Sequence, residues 1–409
     1  MEVKSGEISR QPKRQKSNTT LSSSAASNMK PMDKDKIDAR LSLCYPNDVL
    51  LGDAICSMLL SESLPKISYS GSVVPARSPN KRVSTLSFSL PRSTSVSVPS
   101  GIAEMSNNGK LEAERYAVVT GGNKGIGFEI ARQLASKGIT VVLTARDEAR
   151  GNEATAKLHQ LGFSTVIFHQ LDVLDQASIE ALTTFISRKF GRLDVLVNNA
   201  GVSGCVVDED SLKALGIDPS EWLSGKVAKL VQTAIKYTYE EAQVCLNTNY
   251  YGVQRVTETL LPLLQLSSSG ARIVNVSSLR SELKRIPGES IRNELGDIEN
   301  LTEEKLDSIL QRFLKDFKEN AVEANGWPIM LPAYSMSKVA LNAYTRILAR
   351  KYPNMRINCV HPGYVNTDIN WHTGVISTEE GAKGPVKCAL IPDGGPTGCY
   401  FDQTEVAEF

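Results

Sequence analysis

The sequence predicts an α/β fold, a parallel sheet of about seven strands wound on both faces by helices. Three observations carry this. From Tyr116 onward, short apolar, β-branched runs alternate with amphipathic stretches of helical length. The runs are almost continuously apolar, as strands covered on both faces must be. A glycine-rich turn, "TGGNKGIG" at 120–127, follows the first run directly and opens a helix.

The elements follow in order. "YAVVT" is the first strand, and "FEIARQLASKG" is an amphipathic helix with Gly138 as its expected C-cap. Next come "TVVLT", a helix over 148–161, "TVIFH", a helix over Gln176–Phe190, and "LDVLVN". "RIVNV", "RINCV" and, near the end, "GCYF" complete the sheet. Alternation of strand and helix makes the crossovers helical and the sheet parallel. No repeat of solenoid length is present.

Residues 1–104 have another character. They are rich in Ser, Pro and basic residues and are expected to be largely disordered, with a short helix near 41–60 the only candidate element. The second half has the hydroxyl-rich, acid-poor composition of a plastid transit peptide, but "KPMDKDKIDAR" lies upstream of it. A dispensable extension, or a natural start at Met105, is the preferred reading. Residues 105–409 are expected to form a single domain. The 409-residue chain carries a net charge of +1, which exerts no general pull toward nucleic acid or anionic membrane. "VLLGDAICSMLL" is interrupted by Asp53 and is too short to span a bilayer. Seven scattered cysteines without a CxxC pair point to reduced thiols inside the cell, in the cytoplasm or, if the extension is a transit peptide, a plastid. The four histidines show no HxxxH spacing, so no metal site is expected.

The turn has a clear physical use. Gly121, Gly125 and Gly127 permit a tight bend and close backbone approach, and the helix start offers free N–H groups to a pyrophosphate. A dinucleotide site that prefers NAD wants an acid at the end of the second strand. Here "LTARDE" places Ala145 and Arg146 there, and Lys124 lies in the turn, which favours a 2′-phosphate and hence NADPH/NADP+. The alternative is that Arg146 is a solvated surface residue, with Asp147 adjacent.

Tyr334 and Lys338 in "AYSMSKVALNAY" are four apart and share a helix face. An ammonium beside a phenol favours phenolate and would draw its pKa from about 10 toward neutrality. The phenol could then exchange a proton with a carbonyl oxygen. The pair alone is common on solvated helices. It gains weight from the turn and from "VNVSS", whose Ser278, or Ser277, could hydrogen-bond the same oxygen.

"TGGNKGIG", "NNAG" (198–201), "NYYG" (249–252), "VNVSS" (274–278), "YSMSK" (334–338) and "HPGYVNTD" (361–368) occur in the order found in short-chain dehydrogenases/reductases. Over about residues 115–409 the sequence resembles that family, and within it the plant carbonyl-reductase-like branch of menthone/neomenthol and salutaridine reductases. The resemblance implies a Rossmann-type fold and a catalytic tetrad of Asn249, Ser278, Tyr334 and Lys338, in which Asn249 holds a water linking Lys338 to solvent. It also implies cofactor contacts from Gly121, Asn123, Lys124, Gly125, Ile126 and Gly127, from Arg146, and from Asp172 and Val173 near the adenine. Further contacts are implied from Asn198, Ala200 and Gly201, from Tyr334 and Lys338, and from Pro362, Gly363, Val365 and Thr367. Asp172 could instead be a helix N-terminal acid, and Thr367 an N-cap.

Tyr334 lies 56 positions after Ser278 (334 − 278), where shorter family members are expected to need about a dozen. The insertion, near 280–330, contains "LTEEKLDSILQRFLKDF", with Leu306, Ile309, Leu310, Phe313 and Phe317 at helical spacing after Thr302. By resemblance such an insert covers the surface used by tetrameric relatives, so a monomer is expected. A second insertion spans 204–240, and the two together are expected to shape the substrate pocket. The expected activity is reversible, NADPH-dependent reduction of a small hydrophobic ketone or aldehyde, of terpenoid or alkaloid type. The alternative is a non-catalytic NADP(H)-binding scaffold or redox sensor. A sugar-nucleotide epimerase also uses YxxxK, but only 71 residues (409 − 338) follow Lys338, too few for its substrate domain.

Overall fold

The structure, a computed structural model, describes residues 114–409. The expectations for 1–104 and for Met105 lie outside the described residues.

Seven parallel strands form the sheet: β1 (Tyr116–Val119), β2 (Thr140–Ala145), β3 (Val166–Gln170), β4 (Val195–Asn198), β7 (Arg272–Val276), β8 (Arg356–His361) and β9 (Tyr400–Asp402). Their spatial order is β3-β2-β1-β4-β7-β8-β9. Every residue of β2, β4 and β7 is buried, the consequence of helices on both faces. Two separate cores result. One holds Val118, Val142, Leu196 and Ile273 on one sheet face. The other holds Ala117, Val119, Val141 and Leu143 on the opposite face.

The predicted helices form. They are α1 (Gly125–Ala135), α2 (Glu148–Gln160) and α3 (Gln176–Phe190), and the carboxylates of Asp147 and Asp175 cap the last two. At the end of α1 the cap is Ser136. Gly138 comes two residues later at φ +79°, where it closes the turn into β2.

An eighth strand, β10 (Glu405–Ala407), adds antiparallel to β9 and was not anticipated. Its two-residue turn places Gln403 at φ 54°, a conformation that Asn or Gly usually signals. The second insertion forms a short ribbon, β5 (Val206–Val207) with β6 (Ile235–Lys236). Two small helices, α4 (Glu209–Ala214) and α5 (Pro219–Ser224), lie between these strands.

Helix α6 (Tyr239–Leu246) runs through a π-helical turn, Asn247–Tyr251, into α7 (Gly252–Leu264). After β7 come α8 (Glu289–Gly296) and the predicted amphipathic helix, α9 (Glu303–Lys318). The Thr302 hydroxyl caps α9, accepting from the Lys305 N–H at 3.3 Å. Its Leu306, Ile309, Leu310 and Phe313 are buried, with Phe317 packed at their edge. The helix lies on α6 and on α10 (Pro332–Lys351). Helix α11 (Thr378–Ala389) packs on α1, on the sheet face opposite α10.

Candidate active site

A cleft of about 590 Å³ opens at the carboxyl ends of β1 and β4, where the strand order reverses. Every site residue named from the sequence lines it except Asn198 and Asn249.

Backbone proximity builds the cofactor end. Gly121 is at φ +65°, and a Cβ there would lie 3.0 Å from Ala200 Cα. A Cβ on Gly127 would strike the Gly121 carbonyl and the Asn199 amide. No side chain caps α1, so the N–H groups of its first turn face the cleft region unanswered. Asn199, which the sequence reading passed over, ties the two loops together. Its Nδ2 donates to the Thr120 carbonyl at 2.9 Å, and Thr120 Oγ1 accepts from the N–H groups of Asn199 and Ala200 at 2.9 and 3.0 Å. Asn198 points inward from the strand instead, donating to Asn275 at 2.9 Å and Thr257 at 3.1 Å. The two-residue strand period separates these neighbouring asparagines.

Arg146 lines the cleft without an ion-pair partner among the described residues. Asp147 is committed to capping α2, where its Oδ1 accepts from the Arg150 N–H at 2.9 Å. A 2′-phosphate would therefore meet a free guanidinium rather than a carboxylate. Lys124 pairs across the cleft mouth with Asp368, drawing that carboxyl below its usual range. Asp172 sits before α3 but does not cap it. Its Oδ1 accepts from the Leu174 N–H at 2.9 Å, and it borders the cleft with Val173. Thr367 precedes a short 3-10 turn, and its methyl would lie 3.5 Å from a Cβ on Gly125. These residues fit a phosphorylated dinucleotide: a tight cradle, free helix amides and an unpaired cation at the second strand.

The residues expected to handle the proton meet at the centre. The Ser278 and Tyr334 side chains adjoin each other on the cleft wall. Ser277 is committed elsewhere, donating to Asn342 at 2.6 Å. Lys338 Nζ donates to the Val276 carbonyl at 2.8 Å and lies 5.7 Å from the Tyr334 ring centre. Asn249, fully buried in the π-helical turn, clamps the loop after β4. Its Nδ2 donates to the Val202 carbonyl and its Oδ1 accepts from the Val202 N–H, each at 2.9 Å. A Cβ on Gly201 would lie 3.2 Å from that Oδ1 and 3.8 Å from Lys338 Nζ.

The expected depression of the tyrosine pKa is not found. Burial pushes the Tyr334 phenol up to about 12, against the downward pull of Ser278 and Arg280. Burial also lowers Lys338 to about 8. Desolvation dominates both shifts because both groups are withdrawn from water. At neutral pH the site therefore presents a protonated phenol beside an ammonium.

The far end of the cleft is lined by Trp222, Leu223, Leu331, Tyr364 and Trp371, which the sequence did not single out, together with Arg280. Trp222 meets Trp371 edge-on, their ring centres 6.2 Å apart. Leu331 holds φ 48° immediately before the Pro332 that starts α10, an unfavourable conformation that sets the first turn carrying Tyr334. The two insertions contribute unequally. The second brings Trp222 and Leu223 to the cleft, whereas α9 of the first does not reach it.

The short chain dehydrogenase family matches residues 115–290 and 322–374, leaving out the stretch that holds α9. "Short-chain dehydrogenase/reductase 1" of Saponaria officinalis is 53% identical over 302 residues, 73% of this chain and 97% of its own length. The solved structure of salutaridine reductase from Papaver somniferum is 51% identical with a TM-score of 0.66, the match covering 71% of this chain and 99% of that one. "Carbonyl reductase [NADPH] 1" of Rattus norvegicus is 38% identical over 71% of this chain and 96% of its own length. The ordered motifs, the strand order and these matches agree: the chain belongs to the short-chain dehydrogenase/reductase family and is an oxidoreductase of carbonyl and alcohol groups.

Proposed function

We propose that this chain catalyses the reversible NADPH-dependent reduction of a ketone or aldehyde, with Tyr334 as the proton donor. The observation that carries the reading is the placement of Tyr334, Ser278 and Lys338, with the Lys338 Nζ 5.7 Å from the Tyr334 ring centre, in a cleft that also holds the glycine turn and an unpaired Arg146. The relative named for NADPH supports the cofactor.

When bound, a reduced nicotinamide supplies hydride to the carbonyl carbon. The protein's residues handle the oxygen. The phenol of Tyr334 holds its proton until charge develops there, then donates it. Ser278 stabilises the same oxygen through its hydroxyl. Lys338, anchored on the Val276 carbonyl, keeps positive charge next to the phenolate that donation leaves. Asn249 holds the Val202 loop that backs Gly201 and Lys338. The aromatic far wall suits an apolar substrate body, in keeping with a terpenoid or alkaloid skeleton.

The test is NADPH consumption by the whole chain over a panel of cyclic ketones, with Tyr334→Phe as control. The variant should lose about 10³-fold in kcat. Equal turnover by the variant would remove Tyr334 from the mechanism. Tight NADPH binding with no carbonyl reduced would favour a non-catalytic scaffold. The packing of α9 on α6 and α10 supports a monomer, and light scattering that found a stable tetramer would refute it.

A further inference from the structure

The substrate end of the cleft contains a buried cation without a counter-ion. Arg280 is 8% exposed and lines the cleft. Its guanidinium donates to the Trp222 carbonyl and meets no carboxylate among the described residues. Glu282, two residues on, is engaged by Arg285 at 2.8 Å and Lys284 at 3.1 Å. The two acids of the cleft wall are Asp172 and Asp368. The first holds the Leu174 N–H at the cofactor end, and the second pairs with Lys124 at the mouth. The titratable side chains that act on the guanidinium are the neutral phenols of Tyr237, Tyr334 and Tyr364 and the cation of Arg285, with His361 also near. Burial, reinforced by Arg285, lowers the Arg280 pKa to about 10, which leaves it charged at neutral pH.

A guanidinium has five N–H donors in a rigid fork, and one carbonyl engages a minority of them. A buried charge without a partner is costly, and a carboxylate is the group whose shape and charge complete the fork. The position is specific as well. The Arg280 N–H donates to Ser278 Oγ at 3.2 Å, so the residue supplying the charge adjoins the pair that handles the carbonyl oxygen.

We infer that the substrate is a carbonyl compound that also carries a carboxylate, which Arg280 binds while Tyr334 and Ser278 take the carbonyl oxygen. This rests on the reductase reading of the same cleft and narrows it from neutral apolar ketones to keto acids with an apolar body. Arg280 is thus a specificity-determining residue.

The experiment uses 4-oxocyclohexanecarboxylate and its methyl ester, which differ in charge but little in shape. The whole chain should reduce the acid with at least about tenfold higher kcat/KM than the ester. In Arg280→Met that preference should vanish while turnover of the ester persists, and Arg280→Lys should retain part of it. Binding of cyclohexanecarboxylate against methyl cyclohexanecarboxylate, followed by tryptophan fluorescence, reads the same preference without chemistry. Folding of each variant is checked by circular dichroism, and Arg280→Lys serves as the charge-retaining probe if Arg280→Met fails to fold. Equal treatment of acid and ester by wild type, in binding and turnover, overturns the inference. So does a preference that survives in Arg280→Met. Arg280-dependent carboxylate binding with no reduction of either ketone would leave the carboxylate site standing and sink the reductase reading instead.

Discussion

The two ends of the cleft are built by different means. At the cofactor end, backbone lies against backbone: Gly121 on Ala200, Gly127 on the Gly121 carbonyl, and Asn199 stitching both loops to Thr120. At the substrate end, side chains converge from distant stretches: Trp222 from the second insertion, Arg280 after β7, Leu331 before α10, and Tyr364 and Trp371 after β8. The first construction tolerates almost no change in atom positions. The second can change its ligand one side chain at a time while the chemistry beside it stays fixed.

The sharpest way to break this contrast is Gly127→Ala. Its methyl has nowhere to go, so NADPH affinity should fall on the order of 10²-fold in a fluorescence titration. Unchanged affinity would show that the cradle yields.

The centre of the cleft should respond to pH. In the proposed mechanism reduction needs the Tyr334 proton and the Lys338 charge, and Lys338, at about 8, is the first to be lost as pH rises. The kcat/KM for reduction should be level below about pH 8 and then fall up to tenfold per unit. Lys338→Arg, which stays charged, should move that limb upward. A limb that does not move would assign it to another group.

Arg146→Ser should weaken NADPH by about tenfold and leave NADH affinity unchanged, which tests whether one side chain sets cofactor choice within an otherwise backbone-built end. The smallest effect belongs to the far wall. Trp222→Ala should raise KM for a carbonyl substrate by roughly fivefold with NADPH affinity unaltered. A loss of NADPH affinity there would mean that the two ends are not separable.

The contrast also explains what was legible in the sequence. Backbone-built sites impose rules on residue type at fixed spacing, so "TGGNKGIG" and "YSMSK" announced themselves, and each of their named residues lines the cleft. Within "NNAG" the spacing was right, but the strand period turned Asn198 into the core and left Asn199 to do the joining. The amphipathic spacing of 306–317 predicted α9 well. It showed that one face is buried, though not against which partner, and α9 covers α6 and α10 rather than the pocket. Trp222, Arg280 and Trp371 obey no spacing rule, because they meet only after folding. The rise in the Tyr334 pKa has the same origin: charge attraction can be inferred from a YxxxK pair, but the depth of burial opposing it cannot.

The π-helical turn at Asn247–Tyr251 bears on how such a site can evolve. Its i→i+5 bonding accommodates one residue more than a regular helix would at that point. Each residue advances an α-helix by about 100°, so this one addition puts α6 and α7 out of phase with each other. The upstream helix presents Val244 to the cleft and the turn itself presents Thr248, while downstream Val256 and Leu260 remain seated in the core. A one-residue deletion in this turn would restore the common phase and swing one of those faces off its target. A point substitution on either side leaves the other undisturbed, so the cleft-facing half can drift toward new ligands without renegotiating the packing that holds the domain together.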